Sequence, residues 1–135
     1  MTFVIDASIV VSASLPDEQH PRAVAIVRRA IAEGASAPAF FSVELARALL
    51  LAMRRKRMDV ALLTTTLGDL SELPILPDSE TPARGWTTVA DVASRFALTA
   101  YDAAYLELAP GKRIPLATLD SRLADSARAA GVDLI

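Results

Sequence analysis

Cysteine is absent from the 135-residue sequence, and histidine occurs once, as His20. Without thiols there is no disulfide framework, no thiolate zinc site and no cysteine nucleophile. One histidine excludes a multi-histidine metal site within a chain. A serine–histidine–aspartate triad is left only His20, in a Pro-, Asp- and Glu-rich stretch that reads as a loop. Aromatic residues make up only 5%, so Ala, Leu, Val and Ile must build the core. No long hydrophobic run occurs: the longest, around Ala48 to Met53, is far too short to span a bilayer. The start lacks the charged region and long apolar stretch of a signal peptide. A cytoplasmic protein without membrane contact is expected. The net charge of −2 does not mark a nucleic-acid binder. The basic residues are nearly all arginine, however, and they cluster locally, as in Arg54-Arg55-Lys56-Arg57.

What is present is apolar material for a full core, 53% of residues, in a length that fits one domain over residues 1–135. Thr2 to Ile5 reads as a short strand apolar on both faces, the kind that lies inside a parallel sheet. Ala7 to Leu15 turns into a first helix. His20-Pro21 opens a second, with Val24, Ile26, Val27 and Ile31 facing the core and Gly34 as a left-handed cap. Ala35 to Phe40 reads as a strand, followed by a helix capped by Ser42. Asp59 caps a further helix to about Leu70, and Leu73 to Leu76 is a short edge strand. A helix from Thr81-Pro82 carries Trp86, Val89, Val92 and Phe96 on one face. Thr99 caps the next, which buries Ala103, Leu106 and Ala109 and stops at Pro110-Gly111. Ile114 to Leu119 reads as a strand ending at Asp120. A helix burying Leu123, Ala127 and Ala130, then a last strand over Val132 to Ile135, complete the chain. Alternating strands and helices predict an α/β fold with a mostly parallel sheet and helices on both faces.

Four acids share one topological position. Asp6 and Asp120 follow strands, while Glu44 and Asp102 lie in the first turns of helices that follow a strand or loop. Strand carboxyl ends and helix amino ends fall on the same edge of a parallel α/β sheet, where ligands bind. Carboxylates brought together there repel one another unless a cation lies between them. With no His or Cys ligands, the oxygen donors match hard cations such as Mg²⁺ or Mn²⁺. Such a metal supports in-line phosphodiester cleavage. Ser8 and Thr118, one on each side of this site, are placed to hydrogen-bond the acids or bound water. Each acid alone also has a plain reading as a helix cap or first-turn charge. The case rests on their shared position.

These residues carry a family resemblance. Phe3-Val4-Ile5-Asp6-Ala7-Ser8 resembles the opening of PIN-domain proteins, and Ser42-Val43-Glu44-Leu45-Ala46 their second acidic motif. Leu98-Thr99-Ala100-Tyr101-Asp102-Ala103-Ala104-Tyr105 resembles the third. Leu116-Ala117-Thr118-Leu119-Asp120, with the following Ala-rich helix and Gly131-Val132, resembles the last. The nearest subgroup is similar to VapC toxins of toxin–antitoxin pairs. The resemblance implies a three-layer α/β/α sandwich and a Mg²⁺- or Mn²⁺-dependent endoribonuclease. It further implies a cognate VapB-like antitoxin and a homodimer. It makes Asp6, Glu44, Asp102 and Asp120 the catalytic acids, with Asp6, Asp102 and Asp120 on the metal and Ser8 and Thr118 behind them. Arg47 departs from the family's usual Asn, and either contacts RNA phosphate or antitoxin or simply faces solvent. The helix after Glu44 is unusually apolar, which fits core packing or a partner surface. The basic run Arg54 to Arg57 has three readings: complement to its helix end, solvated face, or RNA phosphate contact. A PIN nuclease serving RNA processing, and a non-catalytic partner-binding module, are the competing functions.

Overall fold

A computed structural model describes residues 3–135; the expected strand residue Thr2 lies outside them. Strand β1 (Val4–Ile5) runs into helix α1 (Ala7–Ser14). Helix α2 (Pro21–Glu33), strand β2 (Ala35–Pro38) and helices α3 (Phe41–Arg54) and α4 (Val60–Ser71) follow. Then come strand β3 (Ile75–Asp78), α5 (Thr81–Arg84), α6 (Thr88–Phe96), α7 (Ala100–Lys112), strand β4 (Leu116–Ala117) and α8 (Ser121–Ala129).

Among the described residues the four strands are all parallel, in the order β3-β2-β1-β4. Val4 pairs with Ser36 on one side and Leu116 on the other, and Ile5 pairs with Ala117. Val4 and Ile5 point to opposite faces and both are fully buried, so helices cover the sheet on both sides. The fold is a three-layer α/β/α sandwich. The chain steps outward from β1 to β2 to β3, then returns to β1's other flank as β4. The order therefore reverses between β1 and β4, and an open α/β sheet takes its ligand in the crevice at such a point.

Small residues substitute for the missing aromatics. Helix α7 packs against β1, β2 and β4, with Ala103, Ala104, Tyr105, Leu106, Leu108 and Ala109 buried. A second cluster of Leu15, Leu49, Ala52, Met58 and Leu63 joins α1, α3 and α4. Arg84 clamps the sheet edge to α7. It pairs with the Asp78 carboxylate at the end of β3 and donates from Nε to Glu107 Oε1 at 2.8 Å. No helix among the described residues is long and apolar enough to cross a membrane.

Several local expectations give way to packing. Ser42 does not cap α3: the helix begins at Phe41, two residues before the start that a Ser42 cap would give, because Phe41 buries its ring in the core. Ile31 is 57% exposed. It lies five residues beyond buried Ile26, about 140° around the helix, and Ala23, Ile26 and Ala30 form the inner stripe. Gly34 caps the helix at the positive φ that favours glycine, 77°, but its ψ of 160° lies outside the left-handed helical region. Trp86 is 89% exposed, because the expected single helix breaks into α5 and α6 around it. Pro110-Gly111 does not end α7, which continues to Lys112 and stops on Arg113 at φ 56°. Proline's fixed φ suits a helix, and its missing N–H forfeits one bond near the end. Strand β3 begins two residues later than expected. The expected strand over Ile114 to Leu119 keeps only Leu116–Ala117. Beyond α8, Ala130 is exposed, and the expected last strand reduces to one parallel bridge, Leu116 to Leu134.

Candidate active site

Asp6 sits where β1 ends, with extended backbone at φ −78° and ψ 146°. Its N–H donates to Ala117 O at 2.9 Å, which fixes it at the β1–β4 reversal. It occupies the N-cap position of α1, yet its side chain makes no capping bond. The carboxylate instead accepts from Ser8 Oγ at 2.6 Å and Thr118 Oγ1 at 2.7 Å. Both hydroxyls reach the same oxygen, Oδ2, and neither reaches Oδ1. The plain capping reading of Asp6 thus fails on geometry.

The two hydroxyls are themselves held. Leu119 N–H donates to Ser8 Oγ and Asp120 N–H to Thr118 Oγ1, each at 3.0 Å. A hydroxyl carries one proton, so each receives an N–H and spends its own hydrogen on Asp6. The 3.4 Å approach of Ser8 Oγ to Thr118 Oγ1 is then contact between acceptors. Arg22 Nη1 donates to Thr118 O at 3.1 Å, tying the start of α2 to this corner.

Glu44 comes from the first turn of α3, Asp102 from that of α7, and Asp120 from the start of α8. Thr99 caps α7 as expected, accepting from Asp102 N–H at 3.1 Å. Asp120 caps α8, accepting from Leu123 N–H at 3.0 Å. Tyr105 donates its hydroxyl to Glu44 Oε1. Sequence alone assigns Tyr105 no role, although its place three residues after Asp102 puts it on the same helix face. Arg47 is exposed and acts on Glu44 through space. Arg122, which no motif singles out, does the same for Asp102.

The acids feel one another. Burial pushes the Asp6 carboxyl above its ordinary range against the pull of Ser8 and Thr118, and the charges of Asp102 and Asp120 push it further. Burial raises Glu44 as well. The Tyr105 hydroxyl opposes that rise, and the charges of Asp6 and Asp102 add to it. Asp102 is raised by burial and by Asp120, against Thr99 and Arg122. Four mutually repelling acids thus share one edge.

This is the setting a cation relieves. Oxygen is the only donor type, and Oδ1 of Asp6 is left free by both hydroxyls. Among the described residues, no three of His, Cys, Asp and Glu are grouped closely enough to hold a metal ion by themselves. Mg²⁺ suits that arrangement, since it keeps several waters and takes one or two carboxylates plus substrate phosphate. The residues present fit such an ion.

Residues 3–129 match the family model described as "PIN domain". The chain belongs to the PIN domain family. PIN domains are typically nucleases that use divalent metal ions. No curated protein matches the chain. Among solved structures it is similar to PAE2754 from Pyrobaculum aerophilum, at 23% identity and TM-score 0.72, over 99% of this chain and 90% of that one. It is similar to FitAcB from Neisseria gonorrhoeae at 20% identity and TM-score 0.67, over 98% and 96% of the two chains. FitAB bound to an IR36 DNA fragment aligns at 19% identity and TM-score 0.58, over 98% and 93%. At these identities the structures speak for this PIN domain's fold.

Proposed function

We propose that this PIN domain is a Mg²⁺- or Mn²⁺-dependent endoribonuclease toxin of the VapC type. One observation carries the reading. Asp6 is spent on no cap; two hydroxyls fix it at the β1–β4 reversal, within electrostatic reach of Glu44, Asp102 and Asp120.

In this reading one or two of Asp6, Asp102 and Asp120 would hold the ion directly and the rest through its waters, and the ion would neutralise phosphate charge and make a water nucleophilic. Ser8 and Thr118 orient Asp6. Glu44, with its carboxyl raised toward the working pH, accepts the proton of the attacking water. A new P–O bond forms from that water, and the bond to the leaving ribose oxygen breaks. Tyr105 holds Glu44 in place. Arg47 and Arg122 attract the substrate's phosphates from the rim. A VapB-like antitoxin and a second copy are the proposed protein partners. Exposed aliphatic side chains on α3, α4 and β3, namely Leu51, Val60, Leu62 and Leu76, offer such partners apolar surface.

The deciding experiment is cleavage of total cellular RNA by the purified chain with Mg²⁺, Mn²⁺ or EDTA, beside Asp6→Asn. Discrete fragments that need metal and vanish in the variant are expected. Intact RNA together with no saturable Mn²⁺ binding would leave a partner-binding module instead.

A further inference from the structure

We infer that Tyr101 is a stacking platform for an unpaired nucleobase beside the cleavage site. The inference rests on the ribonuclease reading and adds a substrate-binding residue to it.

Tyr101 precedes Asp102 in the first turn of α7 and is 62% exposed. Its ring nonetheless has an aromatic partner. Phe40, at the start of α3, meets it edge-to-face, with centroids 5.1 Å apart and planes at 87°. Phe40 in turn meets buried Tyr105 at 5.9 Å and 84°. Tyr105 ends on Glu44 through its hydroxyl. An aromatic chain therefore runs from a proposed catalytic acid out to solvent, and its outermost ring is mostly uncovered.

Three features make a nucleobase the occupant. A supported, exposed aromatic ring stacks with any base, because every base has a π-face. The platform adjoins Asp102, so a base resting there lies next to its own phosphodiester at the acids. Arg47 and Arg122 are exposed and close enough to act on Glu44 and Asp102, which supplies positive charge for the backbone. A base inside a duplex is already stacked on both faces, so the platform favours single-stranded positions.

The test compares the full chain with Tyr101→Leu and Tyr101→Phe. The probes are a mixed-sequence single-stranded RNA and its blunt duplex. Binding is measured in EDTA, and turnover in Mn²⁺. Tyr101→Leu is expected to weaken single-strand affinity about 5- to 100-fold. KM should rise in step while kcat holds. Duplex affinity and the salt slope should not change, because phosphate contacts remain. Tyr101→Phe keeps the ring and should bind as the native chain does.

Native single-strand affinity and KM in Tyr101→Leu would overturn the platform and leave the ring to a protein partner. Equal losses on duplex and single strand, or a matching loss in Tyr101→Phe, would overturn it too. A native chain that cuts no RNA in Mn²⁺ defeats the ribonuclease reading itself, a result distinct from native-like Tyr101→Leu in an active enzyme.

Discussion

Thr118 donates its hydroxyl to Oδ2 of Asp6 at 2.7 Å, across 112 positions of the chain. It is one of two donors to that oxygen and also receives the Asp120 N–H. Thr118→Val keeps the shape and removes both bonds. Loss of an orienting residue behind a metal ligand typically costs about 10- to 100-fold in metal affinity. Mn²⁺ titration calorimetry should show a loss of that order, with Thr118→Ser restoring the native value. Native Mn²⁺ affinity in Thr118→Val would remove Thr118 from the site.

The raised carboxyls of Asp6, Glu44 and Asp102 set a pH dependence of known sign. A carboxyl whose folded-state pKa exceeds its unfolded value, about 3.9 for Asp, binds its proton more tightly in the fold. Stability then falls as pH rises from the unfolded toward the folded pKa, and stays reduced above it. Asp6→Asn should therefore raise Tm at pH 7 in EDTA, by about 2–6 °C if the gain is near 1 kcal/mol. The advantage should shrink toward pH 4. Mn²⁺ should raise the Tm of the native chain, because it binds only the folded state, and leave the variant nearly unmoved. A lower Tm for Asp6→Asn at pH 7 in EDTA would contradict the sign.

Tyr105→Phe deletes the buried hydroxyl that holds Glu44. Burial and the Glu44 charge push the tyrosine's own pKa up, so it stays a donor throughout the assay range. A bond to a charged acceptor is worth about 1.5–3 kcal/mol. Glu44 is only half-buried, so water replaces part of that, and urea titration should show a loss of about 1–2 kcal/mol. The Glu44 carboxyl should rise further, moving the pH–rate profile to higher pH. An unshifted profile would mean that Glu44 is not the group being titrated.

The basic run should prove dispensable for catalysis. Arg54 lies ten residues beyond Glu44 on α3, about 15 Å along the helix axis. Arg57 is committed to Asp17 and Glu18, at 2.9 Å each. Replacing Arg54, Arg55 and Lys56 with Gln should leave cleavage rate and salt slope as they are in the native chain. A flatter slope would mean that these side chains grip RNA phosphates after all.

Strand-then-acid patterns were legible because they depend on local chemistry: an apolar run, a carboxylate, then helical spacing. Asp6, Glu44, Asp102 and Asp120 all reached one edge on that logic, and Thr99 and Asp59 both cap as expected. Failures came where tertiary packing outvoted local preference. Phe41 displaced Ser42 from the cap of α3, and α7 ran through Pro110. The Tyr105–Glu44 bond spans 61 positions, and nothing within either segment announces it. The Asp6 hydroxyl pair was half visible: Ser8 and Thr118 were placed beside the site, but their meeting on one oxygen is a fact of three dimensions.

Joining residue 6 to residue 118 also sets an order of events during synthesis. A chain growing from its amino end presents Asp6 112 residues before Thr118, so β1 is made well ahead of β4 and Asp120. Until β4 arrives the Asp6 carboxylate lacks one of its two donors, β1 lacks a neighbour, and the β1–β4 crevice does not exist. For an enzyme proposed to cut RNA, the site is thus incomplete until β4 has joined β1. A protein inhibitor likewise has a finished site to cover only once β4 has joined β1.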